Sequence, residues 1–351
     1  MPITLSSLID LTTLAFDTII DVRSPAEYAE DHVPGAINLP ALSNEERAEI
    51  GTIYKQQSSF LAKKLGAALV ARNVSNHLLG PLRDMPGAWR PLVYCWRGGQ
   101  RSGSVAIILG QIGWRVDTIS GGYKAYRSLV VDALCDQAFP APLVVLGGNT
   151  GSAKTDILNL LPGFGVQVID LEGVARHRGS LFGAMPGGQP AQKGFDTALA
   201  MKIAQLDPTR PVVVEAESSK IGDIRLPPQL WKAMQAAPRV VLCAPPLARA
   251  QYLTRTYTDL IADPTRLTGI INQLRPAHAA EVIDAWLALA VAGEFEPLAA
   301  SLMERHYDPR YLKHRSRIAD DRLVDIAVQS LGEADLPAIA AKVAIAVGQS
   351  V

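Results

Sequence analysis

A chain of 351 residues, 48% hydrophobic and 19% charged, is too long for one ordinary domain and too apolar for a disordered one. Its 34 Lys and Arg balance 34 Asp and Glu, so it is no polycation, and any nucleic-acid surface must be a local patch. The cysteines, Cys95, Cys135 and Cys243, have neither metal-ligand spacing nor a disulfide framework, which points to a reduced compartment and no resident metal.

The N-terminal segment carries Asp10 and Asp17 within its apolar part and has no basic start, unlike a signal peptide. No apolar run reaches the ~18 residues of a membrane span. A cytoplasmic setting without a membrane partner is expected. Residues 16–22 read as a strand ending near Asp21. Ser24, Pro25 and Glu27 then start a short helix: a capping serine, a proline at the first position and a glutamate at the third. A turn at 32–36 leads to a short strand at 37–40.

Residues 43–90 are helical in pattern, with Lys55, Lys63, Lys64 and Arg72 on one stretch. That charge reads as a solvated face, with an RNA-facing patch as the alternative. An apolar run, Leu92 to Tyr94, then ends at Cys95. The sequence YCWRGGQRS follows the order strand, tight loop, helix. Such a loop can point its backbone N–H groups at the atom that Cys95 carries. Arg97 and Arg101 add positive field, and Gly98 and Gly99 permit backbone angles closed to other residues. Together these lower a thiol pKa and make a nucleophile; the bland reading is a packed cysteine at a strand end. Another short strand at 116–119 precedes Gly121 and Gly122 at a helix start. Cys135 lies near the expected boundary between domains 1–135 and 136–351 and reads as a packing residue.

The stretch DVRSPAEYAEDHVPGAINLP, from Asp21 to Pro40, resembles the opening of a rhodanese domain, and the Cys95 loop stands where that family keeps its chalcogen-carrying cysteine. The resemblance implies that Cys95 is the catalytic residue, in a cradle of Arg97, Gly98, Gly99 and Arg101. It gives Asp21 and Arg23 a structural role.

After a proline-flanked linker, residues 143–146 form a strand that runs into GGNTGSAKT. This reads as a phosphate-binding loop: Gly148, Gly151 and Ser152, then Lys154 on terminal phosphate oxygens and Thr155 on Mg²⁺ if a nucleotide binds. Ala153 stands where the pattern has glycine, which is acceptable if its φ is negative. Residues 166–170 form a second strand with Asp170 at its end, and a third strand from 212 ends at Glu215, with Glu217 beyond. These three carboxylates are candidate acid or Mg²⁺-organising groups. A fourth strand at 239–242 is followed by helices, where Arg249 and Arg255 read as lid arginines. Strands alternating with helices imply α/β architecture with ligands at the carboxyl edge of a parallel sheet.

With residues 175–196, 215–223 and 306–311, the combination resembles the tRNA 2-selenouridine synthase family across the chain. This implies a rhodanese-like domain followed by a P-loop NTPase-like parallel-sheet domain with C-terminal helices. It also implies conversion of wobble 2-thiouridine to 2-selenouridine through an S-geranyl intermediate. Geranyl diphosphate and selenophosphate are the implied co-substrates, with selenium carried on Cys95 as a perselenide. The implied partners are the tRNA anticodon stem-loop and an enzyme that supplies selenophosphate. Leu181, Phe182 and Met185 are candidates to meet the isoprenoid. The segment from His177 to Gly179 and the run Arg305, Arg310, Lys313, Arg315 and Arg317, interleaved with Tyr and His, are candidate RNA contacts. Two other readings stay open: a P-loop NTPase or kinase with a regulatory rhodanese module, and a cysteine phosphatase, because Cys95, five residues, Arg101 and Ser102 spell C-x5-R-S.

Overall fold

The computed structural model describes residues 2–315 and 322–350. Two compact units emerge, Met1–Ala138 with Pro190–Gln205, and Phe139–Gln189 with Leu206–Val351. The segment Pro190–Gln205 therefore falls in the first unit although it lies between strands of the second.

In the first unit, strands β1 (Thr18–Asp21), β2 (Ala36–Asn38), β3 (Pro91–Tyr94) and β4 (Asp117–Thr118) are parallel and lie in the order β2-β1-β3-β4. β3 is an interior strand and all of it is buried, as an apolar run covered on both faces should be. Cys95 follows it directly. The helix Pro25–Glu30 forms the capping box read from Ser24 and Glu27. Between β2 and β3, the helices Asn44–Gln56 and Ser59–Leu79 start at Ser43 and Ser58, each accepting from a backbone N–H. Val70 and Val74 of the second helix join Ile20, Val93, Val105 and Leu109 in one core, so this segment is part of the domain and not an appendage.

The helix Gln192–Ala204 buries Phe195, Leu199 and Ala200 in this unit. Its Thr197 hydroxyl donates to the buried Asp31 carboxylate (2.9 Å), which also accepts from the Tyr123 hydroxyl (2.7 Å). Arg127 pairs with Asp196. Burial pushes the Asp31 carboxyl up, against these hydrogen bonds and the Arg127 charge.

In the second unit, β5 (Leu143–Gly148), β6 (Gln167–Ile169), β7 (Val212–Glu215), β10 (Arg239–Cys243) and β11 (Leu323–Ala327) form a parallel sheet in the order β11-β10-β5-β7-β6. A small antiparallel pair, β8 (Lys220–Ile221) with β9 (Ile224–Arg225), lies outside it. The chain leaves β5 toward β6 on one side and reaches β10 on the other, so the order reverses at β5 and its carboxyl end faces a crevice. β11 is absent from the sequence reading. Its exposed and buried residues are mixed, and it is recognisable as a strand through its pairing with β10. The C-terminal helix Leu336–Gln349 packs Ile339, Val343 and Val347 against Ile157 and Leu158. A second core gathers Leu260, Ile271, Ile283, Trp286 and Leu298 from helices after β10. Among the described residues no helix is long and apolar enough to cross a membrane.

Candidate functional site

The Cys95 thiol is buried at the end of β3, with 3% of the residue exposed. Its Sγ accepts from the Gly99 N–H (3.3 Å) and lies 3.2 Å from the Ser102 hydroxyl. That hydroxyl is also 3.2 Å from the Gly99 carbonyl oxygen, so one hydrogen has two acceptors. Burial pushes the thiol up, but the Ser102 hydroxyl and the N–H groups of Ser102, Arg97 and Gly99 outweigh it and hold the thiol below its ordinary value. The lowering is thus a hydrogen-bond effect of the loop and the first helical turn.

The two arginines act differently from the sequence reading. Arg101 donates to Glu27 at 3.0 Å, and Arg97 is exposed and contributes its backbone N–H. Glu27 also pairs with Arg47 (2.8 Å). Burial raises the Glu27 carboxyl, yet Arg101 foremost, with Ser24 and Arg47, brings it below the usual carboxylate range. Of the two glycines, Gly98 has a φ of +65°, and a Cβ there would stand 2.7 Å from the Ile119 carbonyl oxygen. Gly99 has a negative φ and open space where a Cβ would be, so only Gly98 is sterically required. Ser102 is the functional neighbour that charge counting left out.

Asp21 and Arg23 form a buried ion pair at 2.6 Å. The Arg23 guanidinium also donates to the Asp31 carbonyl (2.6 Å) and lies 3.8 Å from the centre of the Tyr123 ring. Nothing in this network touches Sγ, which suits the structural role.

In the second unit, the loop after β5 turns into the helix Lys154–Leu160. Gly148 has a φ of +151°, and a Cβ on it would meet Ser152 Oγ at 2.4 Å. Gly151 is also at positive φ. Ala153 has a φ of +58°, so the condition set for alanine is not met: the residue sits in the left-handed region, where a side chain costs about 1–2 kcal/mol. Lys154 Nζ rests on the Gly148 carbonyl oxygen (3.0 Å), and Thr155 Oγ1 donates to Glu172 (2.7 Å).

A cleft of 660 Å³ opens over this loop, lined by Lys154, Thr155, Asp170, Glu172, His177 and Glu217 among others. The three carboxylates named from sequence have different roles. Asp170 caps the helix Leu171–Ala175, accepting from the Gly173 N–H (2.6 Å). Glu215 is fully buried and accepts from the Leu171 N–H (2.9 Å); burial and the neighbouring Asp170 push its carboxyl well above the ordinary range. Glu217 faces the cleft. Burial and the Glu172 charge raise its carboxyl to about 8, against the pull of Lys154. Both Glu172 and Glu217 converge on Gly179, whose absent Cβ would lie within 2.7 Å of either.

Three further groups of residues lining the cleft are buried without a hydrogen-bond partner, Ser152 Oγ, His177 Nδ1 and the Tyr307 hydroxyl. Buried polar atoms in folded chains are nearly always paired, so these point to a polar ligand. Glu172, Tyr252 and His177 reach the cleft from separate segments; sequence pattern does not single out Glu172 or Tyr252, and it marks His177 only as a candidate RNA contact.

The expected lid arginines are struts. Arg249 is buried and grips Asp308 with two bonds (2.9 and 2.8 Å) and the Thr150 carbonyl with a third (3.1 Å). Arg255 donates to the Leu331 carbonyl (2.7 Å). Of the expected RNA contacts, Arg310 is engaged with the His306 ring, and burial, Arg310 and His278 lower that imidazole to about 4. Arg305 and Lys313 are exposed, as are Lys55, Lys63 and Lys64, while Arg72 pairs with Glu46. Arg178 bonds Asp259 (2.9 Å). The Arg315 side chain and Arg317 lie outside the described residues.

Beside the cleft is a second cavity of 80 Å³, walled by apolar side chains including Phe182, Leu260, Leu267, Leu298 and Met303. The two share Thr150, Ser180, Leu253, Tyr257 and Tyr307. Phe182 lines this second cavity. Leu181 does not line either cavity, and Met185 lines only the cleft.

A thiol held in an N–H cradle on one parallel sheet, and a phosphate-binding loop on another, define a chain that joins a rhodanese-like domain to a P-loop domain. Residues 4–129 match the rhodanese-like domain model, and residues 141–269 match the model of the tRNA 2-selenouridine synthase AAA domain. The tRNA 2-selenouridine synthase of Aeromonas salmonicida (strain A449) is 38% identical over 71% of this chain and 67% of its own length. Those of Alcanivorax borkumensis and Shewanella denitrificans are 36% and 34% identical, each over 84% of this chain and 88% and 87% of their own lengths. The chain belongs to the tRNA 2-selenouridine synthase family and is an enzyme, a transferase of tRNA modification.

Proposed function

We propose that this enzyme replaces the sulfur of wobble 2-thiouridine in a tRNA anticodon stem-loop by selenium, in two steps served by the two domains. In the first, the thiocarbonyl sulfur attacks carbon 1 of geranyl diphosphate. A carbon–sulfur bond forms, the carbon–oxygen bond breaks, and diphosphate leaves with the electron pair. Lys154, the loop N–H groups and the Ser152 hydroxyl meet the growing negative charge. Thr155 and Glu172 are the residues that would hold a Mg²⁺ ion accompanying the diphosphate; such ions take few protein ligands beside phosphate and water. In the second step, selenium from selenophosphate enters carbon 2 in the Cys95 domain, and geranyl thiol leaves. Alkylation turns a poor leaving group into a good one.

The observation that carries the first step is the junction of the phosphate-loop cleft with a largely apolar cavity. A ligand that fills both has phosphates at one end and a hydrocarbon at the other. The cavity's 80 Å³ corresponds to roughly five to eight water-sized groups, room for a short prenyl chain. The wall is mostly hydrocarbon, with a few hydroxyls such as those of Ser180, Thr254 and Tyr307, which suits a prenyl chain better than a nucleobase with several polar edge atoms. The run from Arg305 to Arg317, in which Arg305 is exposed, is the proposed RNA contact, a selenophosphate-supplying enzyme is the partner, and the setting is cytoplasmic.

The test uses tRNA bearing 2-thiouridine, the full chain and geranyl diphosphate. Without a selenium donor, S-geranyl-2-thiouridine accumulates, and adding selenophosphate converts it to 2-selenouridine, both read by nucleoside mass spectrometry. ATP turnover with no alkylated nucleoside would favour the NTPase reading instead.

A further inference from the structure

We propose that Cys95 attacks the phosphorus of selenophosphate and not its selenium, so that the Cys95 loop is a phosphoryl-accepting site with a hydrolase activity toward phosphorus–chalcogen bonds. The inference rests on the reading of selenophosphate as donor. In the forward step a phosphorus–sulfur bond forms on Cys95, the phosphorus–selenium bond breaks, and the electron pair leaves on selenium as hydrogen selenide. Hydrogen selenide then attacks carbon 2 of the geranylated nucleoside and geranyl thiolate departs. Water finally cleaves the cysteinyl phosphate, returning the thiolate and inorganic phosphate. Every step is redox-neutral.

Electron balance separates this route from a perselenide. Selenium in selenophosphate is at the selenide level, and it is at that level again in the product. If the thiolate attacked selenium, the electron pair of the broken bond would stay on phosphorus and the product would be phosphite. A perselenide formed with release of phosphate needs an oxidant, and its transfer as selenide then needs a reductant. Neither is supplied by the reaction.

The loop has the parts for attack at phosphorus. Five residues separate Cys95 from Arg101, but Glu27 holds that guanidinium (3.0 Å), so the donors at the reacting atom are those of the loop and of Ser102. The Gly99 N–H and the Ser102 hydroxyl already converge on Sγ, at 3.3 and 3.2 Å. Donors that stabilise a thiolate nucleophile also stabilise it as the leaving group when cysteinyl phosphate is hydrolysed. Glu27, which bonds to the loop through Arg101 and not to Sγ, bears on the substrate class. It is an ionised carboxylate bound to Arg101 and Arg47, so it holds no proton for a leaving group. An alkoxide needs that proton, whereas selenide and sulfide are weak bases that depart without it. The site therefore splits selenophosphate and thiophosphate and leaves alkyl phosphates intact.

Radiophosphorus-labelled thiophosphate is the stable probe, supplied to the full chain without tRNA and quenched in acid. The expected result is a phosphoryl group on Cys95 by peptide mass spectrometry, sulfide and inorganic phosphate released together, and neither signal from Cys95→Ser. Ser102 is a positioning residue: Ser102→Ala should slow cleavage about tenfold at neutral pH and move the pH profile upward, and Ser102→Thr should restore both. A chalcogen adduct on Cys95 with no phosphoryl group, or phosphite among the products, overturns the proposal while leaving selenophosphate as donor. If neither thiophosphate nor selenophosphate is consumed while geranylated tRNA is still selenated from another donor, the donor reading fails and this inference with it.

Discussion

The Cys95 loop and the loop of residues 148–155 share a plan. Each follows a buried parallel strand, bends through a glycine at positive φ and enters a helix. They differ in what their donors face. At Cys95 the N–H groups and Ser102 converge on a sulfur of the chain itself, which is thereby held toward the thiolate. At the phosphate loop Lys154 rests on a carbonyl and Ser152 Oγ has no partner. On the proposed function, the same scaffold makes a nucleophile when its donors meet an internal atom, and a leaving-group binder when they await oxygen atoms from a ligand.

The sharpest way to break this contrast is Cys95→Ser. Losing a nucleophile lowers turnover by on the order of 10⁴-fold or more. Selenation should fall below detection while S-geranyl-2-thiouridine accumulates, read by nucleoside mass spectrometry. Wild-type selenation in the variant would remove Cys95 from the chemistry. Next in size is Lys154→Ala. Losing one charge-assisted contact to departing diphosphate costs about 2–4 kcal/mol, or 10²–10³ in rate. Geranyl transfer should fall by that amount, and selenation of tRNA supplied already geranylated should persist. Equal loss of both steps would mean that the loops do not work independently.

Both loops were legible in the sequence because each is a continuous stretch whose residue order is its geometry. What surrounds them was not. Arg101 reads as a cradle cation until Glu27, 74 positions away, takes its guanidinium. Arg249 reads as a lid until Asp308 grips it from 59 positions away. A charge pattern states that a cation is present and not which partner it finds. Glu172 belongs to the cleft through tertiary contacts, so no local spacing marks it, and His177 reads from sequence as an RNA contact and not as a cleft residue. The helix Gln192–Ala204 has little amphipathic pattern of its own, and its place in the first unit follows from Asp31 and Arg127, which are far away in sequence.

The two loops should also respond oppositely to pH. The thiol at Cys95 gains charge as pH rises, and chemistry there should rise with it before levelling off. In the cleft, Glu217 is protonated below about 8 and ionises above it, placing a negative charge near Lys154 and the bound diphosphate. The KM for geranyl diphosphate should therefore increase several-fold between pH 7 and 9 in the wild type. Glu217→Gln mimics the protonated acid and should remove that rise while matching the wild type at pH 7 within about twofold. A pH-independent KM in the wild type, or a large loss at pH 7 in the variant, would show that Glu217 is ionised and in use.

The smallest expected effect concerns the positive-φ position that the two loops fill with different residues. At the Cys95 loop it is Gly98; at the phosphate loop Ala153 takes the left-handed conformation next to Lys154. Three terms decide Ala153→Gly. Relief of the left-handed backbone gains about 1–2 kcal/mol. The extra freedom of glycine in the unfolded chain costs about 0.4–1 kcal/mol. The methyl group is 2% exposed and packs in the core of the second unit, so its loss costs roughly 0.8 kcal/mol. The sum is near zero, which explains how alanine can stand where the loop's conformation favours glycine. Thermal unfolding should then shift by no more than about 2 °C, with geranyl diphosphate affinity unchanged because both residues present the same backbone N–H. A rise well beyond that would mean that strain dominates and the loop is held open at a cost. A fall would mean that the buried methyl, through its contacts in the core, sets the loop's shape.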